Sequence, residues 1–204
     1  MIVVPKSVRL PFLTTLAAML PGVSNKAAWE REYAEGAWSR LGAGSDADRY
    51  AIILGHLIRR GTPCSLLDVG CGSGHLLEFV SHANLTDYVG LDISEEATKL
   101  AAARGFANAS FHASTAEAYT PDRKFDVIVF NEVVFYLKDP RAVLTRYQSL
   151  LEPGGLLLVS MVECPLARLL WHKLSRAFVT TQRTQVGAGG GLSWSIRALE
   201  PKPA

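Results

Sequence analysis

Apolar and polar positions change period several times along the chain, and the changes mark its elements. Between Cys64 and Met161, short apolar runs alternate with stretches whose apolar residues recur every three or four positions. The runs 64–69, 87–92, 109–112, 125–130 and 155–161 read as strands; the stretches 74–82, 94–104 and 140–150 read as helices. This alternation predicts a parallel sheet with helices on both faces. The helix ends agree: Ser94 stands at a cap position with Glu95 and Glu96 in the first turn, Arg104 closes the last turn and Gly105 follows. Asp139-Pro140 makes a second cap, with proline at the first helical position.

The flanks extend this pattern. Residues 27–41 place Trp29 and Tyr33 four apart on one helical face ahead of Gly36, and 46–60 resume the helical period through Tyr50, Ile53, Leu54, Leu57 and Ile58 until Gly61 and Pro63 stop it. After Met161, residues 165–176 form one more amphipathic helix, then 177–186 and 192–201 read as strands joined by the loop GAGGG. The expected architecture is α/β: a Rossmann-like, doubly wound, mostly parallel seven-stranded sheet with an antiparallel C-terminal hairpin and N-terminal helices. Residues 1–61 are expected to form a helical lid region and residues 62–204 the core, within a single domain.

Composition narrows the class. The chain has 204 residues, 49% hydrophobic and 20% charged, close to the averages for a globular domain. Its net charge of +2 is too small to mark a nucleic-acid binder. That charge is uneven: residues 1–26 carry +3 and 165–204 carry +5, which leaves −6 for the centre. Such a centre suits a cationic ligand, although a solvated surface explains the same count. Cys64, Cys71 and Cys164 are odd in number and lack zinc spacing, so a reducing, cytoplasmic setting and no metal are expected. No apolar run reaches membrane-spanning length. The run Leu10–Leu20 behind Lys6 and Arg9 faintly imitates a signal peptide, but Pro11 and Pro21 frame it and a packed or frayed N-terminal helix is the reading; surface association with a membrane is the alternative.

The chemistry concentrates in LLDVGCGSG, residues 66–74: an apolar strand, the acid Asp68, then Gly70, Gly72 and Gly74 opening a helix. Glycines at a strand-to-helix turn admit a ligand to the backbone, and the helix N-terminus offers free N–H groups to a polar or anionic part of it. A second acid, Asp92, ends the next strand 20 residues after Gly72, where nucleotide-binding α/β folds hold ribose hydroxyls. A dinucleotide fingerprint would need glycine at position 75, where this chain has His75.

At these residues the sequence resembles the class I S-adenosylmethionine-dependent methyltransferases, and the resemblance runs from about Trp29 to the end. It implies that the Gly70–Gly74 turn, with Cys71 as a small residue fitting it, lies under the methionine part of S-adenosylmethionine. Asp68 would hold the amino end directly or through water. VGLDIS (89–94) implies Asp92 on both ribose hydroxyls and Ile93 against the adenine. Thr115 and Ala116 stand where the family often writes an acid and then alanine, so adenine contact would rest on them and their neighbours. FDVIVFNEVVFYL (125–137) implies that Asn131 and Glu132 reach the cofactor methyl and the substrate. The patterns W-E-x-x-Y-x-x-G-x-W (29–38) and W-x-I-x-x-L-x-P (194–201) resemble a narrower branch that methylates natural products and aminosugars, nodulation-type N-methyltransferases among them.

The implied function is transfer of the methyl group to an oxygen or nitrogen of a small molecule; the alternative is a non-catalytic S-adenosylmethionine-binding module acting as partner or regulator. Glu132, Asn131 and Tyr33 are the candidate catalytic residues. Glu132 is a base or acceptor anchor in one reading and a loop-orienting or amino-holding group in the other. Tyr33 sits with Trp29 and Trp38 on a helix that would close over the cofactor, with aromatic faces suited to a sulfonium. A sulfonium is already activated, so placement can supply ~7–11 kcal/mol of barrier reduction. The sequence has no N-P-P-Y-type tetrapeptide after the fourth strand, against a nucleic-acid partner. His75 reads as a solvated or capping residue, His112 as packing near the adenine and Trp171 as core.

Overall fold

The apolar runs of the middle of the chain form strands because both of their faces are covered, and this places the crevice described below. In the computed structural model, residues 26–39, 45–61, 63–187 and 192–203 are described. The expected helix near residues 10–20 and the tip of the glycine-rich loop lie outside them.

The elements follow as α1 (Lys26–Ala34), α2 (Ser45–Arg60), β1 (Cys64–Val69), α3 (His75–Val80), β2 (Leu85–Asp92), α4 (Glu95–Ala102), β3 (Ala109–Ala113) and β4 (Phe125–Asn131). A 3-10 turn (Val134–Tyr136), α5 (Pro140–Gln148), β5 (Leu151–Val162), α6 (Pro165–Leu174), β6 (Phe178–Gly187) and β7 (Ser193–Pro201) complete the chain. One seven-stranded sheet has the order β3-β2-β1-β4-β5-β7-β6. Strands β1 to β5 pair in parallel, and β7 joins β5 and β6 antiparallel. The expected architecture is the one observed.

Alternate residues of each central strand serve opposite cores. Ile128, Phe130, Val159 and Met161 pack with Val143, Leu144 and Tyr147 of α5 and Trp171 of α6. On the other face Leu66, Tyr88, Val127 and Val129 pack with Tyr50, Ile53 and Leu57 of α2 and Leu76, Leu77 and Val80 of α3. Each fully buried aliphatic or aromatic side chain contributes about 1.5–3 kcal/mol.

Boundaries move for local reasons. α1 stops at Ala34 because Gly36 takes φ +70° and the N–H groups of Glu35 and Ala37 close on the carbonyls of Arg31 and Glu32. β5 begins at Leu151, not 155: Leu151 pairs with Phe125, and a register shift absorbs the intervening residues before Leu156 pairs with Val127. Ser94 and Asp139 cap α4 and α5 as expected, accepting from the N–H groups of Ala97 and Ala142. Arg104 lies beyond α4 and does not close its last turn; Nε donates to the Ser73 carbonyl at 2.5 Å, and the guanidinium also pairs with Glu78. No helix among the described residues is long and apolar enough to cross a membrane.

Candidate active site

The chain leaves β1 toward β2 on one side and later returns with β4 on the other, so the loops after β1 and β4 part and leave a crevice at the C-terminal edge of the sheet. The Gly70–Gly74 turn, Asp92, Asn131 and Glu132 all end strands at that edge, and Thr115 and Ala116 follow β3 there. Gly70, Gly72 and Gly74 have φ of +78°, +54° and +78°, a region that costs an L side chain roughly 1–2 kcal/mol. The N–H groups of Gly70 and Cys71 both donate to the Leu91 carbonyl, at 2.7 and 2.9 Å, which fixes the turn against β2. A Cβ at Gly70 would lie 2.7 Å from Cγ2 of Val133, and one at Gly72 would lie 2.7 Å from the hydroxyl oxygen of Tyr33. The close approach that the glycines permit is thus made here by two side chains of the protein.

Asp92 joins the walls. Oδ2 accepts from the Gly72 N–H and Oδ1 from the Ser94 N–H, each at 2.9 Å. Burial pushes this carboxyl above the usual range, while the N–H groups of Ser94 and Gly72 pull it back. Asp68, 1% exposed, accepts from the Tyr88 hydroxyl at 2.5 Å through Oδ2, and its Oδ1 has no hydrogen-bond partner among the described residues. Burial pushes the Asp68 carboxyl up to about 7, with Tyr88 acting against the shift and Asp92 adding to it. Asn131 Oδ1 is a second buried acceptor without a partner among the described residues. By strand alternation Asp68 and Asn131 face the same side of neighbouring strands, on the side of Leu66 and Val129. An unmet buried acceptor costs about 1–3 kcal/mol, and two together in a crevice fit a ligand that brings donors.

Helix α1 covers the turn. The Glu30 carboxylate accepts from Ser94 Oγ at 2.7 Å and from the N–H groups of Glu95 and Glu96 at 2.8 and 2.9 Å, so it caps α4 from another element. Lys26 adds a 2.7 Å contact to Glu95. Trp29 stands 6.5 Å from Tyr33, 5.6 Å from Trp38 and 5.1 Å from Tyr136 between ring centroids, edge-on to the last. Tyr33 is buried, and burial with Asp92 nearby holds its hydroxyl well above the ordinary range, so it stays protonated.

A model of the methyltransferase-domain family matches residues 32–189. The chain belongs to that family. It is 37% identical over 131 residues to an uncharacterized methyltransferase of Mycobacterium tuberculosis, across 62% of this chain and 64% of that protein. It is also 37% identical over 98 residues to a ubiquinone biosynthesis O-methyltransferase of a Bradyrhizobium species, across 47% of this chain and 38% of that protein. The aligned region therefore spans less than two thirds of either relative. Among solved structures it is similar in fold to the N-methyltransferase NodS of Bradyrhizobium japonicum in complex with S-adenosyl-L-homocysteine, with a TM-score of 0.69 and 21% identity, covering 85% of this chain and 97% of that one.

Within this methyltransferase domain the remaining predicted residues fall as follows. Glu132 has φ +61°; its Oε1 accepts from Ser160 Oγ at 2.8 Å and Oε2 from the Val162 N–H at 2.9 Å, so β5 holds its carboxylate. Thr115 Oγ1 accepts from the Ala118 N–H, and the Ala116 carbonyl accepts from Arg146 and from the Tyr147 hydroxyl, which pins that turn. Ile93 is half-buried. Cys71 is buried and its thiol is pushed well up by burial and by Asp92, which leaves it inert and suits a small residue fitting the turn. His75 is not solvated: it is buried beside Arg104, which with burial lowers its pKa. His112 is exposed and lies 5.6 Å from the Tyr119 ring, while Trp171 is core as expected. Among the described residues no group of His, Cys, Asp and Glu is arranged to hold a metal. Sequence reasoning missed Tyr88, Val133, Ser160 and the part played by Glu30. Only Glu30, inside the W-E-x-x-Y pattern, carried a signal.

Proposed function

We propose that the protein transfers the methyl group of S-adenosylmethionine to an oxygen or nitrogen of a small-molecule acceptor. The observation that carries this reading is the pair of unmet buried acceptors, Asp68 Oδ1 and Asn131 Oδ1, beside a turn that Asp92 ties to the end of β2. The bound cofactor supplies a methyl group on a sulfonium that is already activated for displacement. Asp68 and Asn131 would hold its ammonium end as hydrogen-bond acceptors. Asp92 keeps lone pairs for ribose hydroxyls beyond those used on Gly72 and Ser94, since a carboxylate takes about four hydrogen bonds. Ile93 would hold the adenine by apolar contact, with the Thr115–Ala116 turn, whose Ala116 carbonyl is pinned by Arg146 and Tyr147, as its polar neighbour.

The roof of Tyr33, Trp29, Trp38 and Tyr136 excludes water and offers aromatic faces to the cation. A roof docked on the turn supports a small acceptor over a polymer. Glu132 orients the loop after β4: to act as a base it would have to leave Ser160 and the Val162 N–H. One relative is named for O-methylation and one structural neighbour for N-methylation, which leaves both acceptor atoms in the reading. Three free cysteines agree with a cytoplasmic setting.

The test has two parts. Calorimetry with S-adenosylhomocysteine measures binding, and Asp92→Ala is expected to weaken it roughly 10- to 100-fold, the loss of hydrogen bonds to a charged group. Chromatography then measures S-adenosylhomocysteine released with phenolic and amine acceptors. Absence of binding overturns the reading, and binding without release over the whole acceptor set supports the non-catalytic module instead.

A further inference from the structure

We propose that Tyr88 is a positioning residue: its hydroxyl keeps Asp68 ionised, and so sets the pH range in which the protein holds the amino end of the cofactor. The inference rests on the reading that Asp68 accepts from that ammonium.

The geometry is specific. Tyr88 and Asp68 lie on adjacent strands, each 1% exposed, with the phenol oxygen 2.5 Å from Oδ2. Gly90 is the register partner of Asp68, and the Phe111 ring and the Cys71 thiol fill the place where its Cβ would stand. Phe111 also packs on the Tyr88 ring, at 5.9 Å between centroids, so the phenol is held where it is. Tyr88 takes one carboxylate oxygen and leaves the other buried and without a partner among the described residues.

Among the described residues, burial, the Tyr88 hydroxyl and Asp92 set the charge state of this carboxylate. From β2 it is faced by Tyr88 and Asp92, and from the turn after β1 by the buried Cys71 thiol. Tyr50 of α2 faces Tyr88 and is itself held by the Arg49 guanidinium at 3.2 Å, while Tyr33 and Glu30 of α1 face Asp92. Burial and Asp92 oppose ionisation, and the Tyr88 hydroxyl favours it. Asp68 accordingly titrates at about 7. A protonated Asp68 would lose the charge that attracts an ammonium, so affinity should fall as pH drops through neutrality. Removing the phenol donor moves that fall to higher pH.

The test is calorimetry with S-adenosylhomocysteine from pH 6 to pH 8.5 on the wild-type chain, Tyr88→Phe and Asp68→Asn. A hydrogen bond to a charged group corresponds to about one to two pKa units. Tyr88→Phe should therefore bind roughly 10-fold more weakly at pH 7 and approach wild-type affinity at the alkaline end, whereas Asp68→Asn should bind weakly with a flat profile. Carbon NMR of labelled aspartate in the ligand-free protein reads the same titration directly, and its midpoint should rise in Tyr88→Phe. A Tyr88→Phe profile parallel to wild type, or an unmoved midpoint, overturns the proposal and leaves Tyr88 as packing. Wild-type affinity in Asp68→Asn would instead overturn the underlying assignment of Asp68, and the proposal with it.

Discussion

The two sides of the crevice treat their acids in opposite ways. On the β1–β2 side, Asp92 takes its hydrogen bonds from Gly72 and Ser94, the backbone of the loops that form the walls, and Asp68 keeps one oxygen with no partner. On the β4–β5 side, Glu132 turns away to Ser160 and Val162 and ties one strand to the next. All three acids sit at or near the C-terminal ends of parallel strands. The direction of the nearby donors decides which of them serves a ligand and which serves the scaffold. The β1–β2 side therefore carries electrostatic strain, with buried carboxyls opposed by burial and supported by the dipoles of Tyr88, Ser94 and Gly72. On the β4–β5 side Glu132 is strained in its backbone, at φ +61°, and satisfied in its side chain, while the neighbouring Asn131 keeps the unmet acceptor.

The largest expected effect follows from the first kind of strain. A carboxyl whose folded-state pKa is raised stabilises the fold fully below its unfolded pKa, near 4, and that contribution is lost as pH rises through the folded pKa. For Asp68 the loss runs from about pH 4 to about 7, and the raised Asp92 adds to it in the same direction. The ligand-free protein should be more stable at pH 5 than at pH 8 from these groups, and Asp68→Asn should raise its Tm at pH 8 by several degrees while weakening cofactor binding. Calorimetric melting of both chains at the two pH values checks this. An Asp68→Asn protein that melts lower at pH 8 would remove the contrast between the two sides.

Next in size is the buttress. Glu132→Ala removes the bonds to Ser160 and Val162 and keeps a side chain at positive φ, so a loss of about 2–4 kcal/mol is expected. Glu132→Gly loses the same bonds but relaxes the backbone, and should recover roughly 1 kcal/mol of it. Glu132→Gln keeps an acceptor for the Val162 N–H and should lower kcat less than about tenfold. Denaturant melts rank the three variants. A fall of roughly 10²-fold or more in kcat for Glu132→Gln with unchanged cofactor affinity would make Glu132 a base and place both sides of the crevice in the chemistry.

How much of this was legible in the sequence depends on how local each feature is. Strands β1 and β4, buried on both faces, appear as continuous apolar runs, and the caps of α4 and α5 lie within three residues of their partners. The glycine turn was legible because its positive φ values demand glycine at the spacing observed. The Asp68–Tyr88 pair joins residues 20 apart, Glu132–Ser160 joins residues 28 apart and Glu30–Ser94 residues 64 apart. Those partnerships depend on strand register and on how α1 lands, neither of which leaves a periodic trace. Glu132 illustrates the limit: its position at the end of β4 could be read, but the turn of its backbone toward β5 could not. The start of β5 was misplaced for a similar reason, since a register shift separates the pairing of Leu151 with Phe125 from the rest of the ladder.

The smallest expected effect concerns what joins the roof to the β1–β2 side. Glu30 spans the two, accepting from Ser94, Glu95 and Glu96 at the start of α4, and Ser94 in turn donates its N–H to Asp92. Docking of α1 and placement of the ribose acid thus share one residue, so binding that firms the 92–94 loop should also firm the roof. Glu30→Gln keeps the size and one acceptor oxygen but lowers the charge at the helix N-terminus, an effect of about 0.3–1 kcal/mol, or roughly two- to fivefold in affinity. Trp29 and Trp38 lie in the roof, so their fluorescence reports docking independently of affinity. A change in emission together with a few-fold weaker binding of S-adenosylhomocysteine would support coupling through Glu30. Unchanged emission and affinity would mean that the aromatic contacts of Trp29 with Tyr33, Trp38 and Tyr136 hold the roof unaided, and that the acids of the β1–β2 side act on the ligand without it.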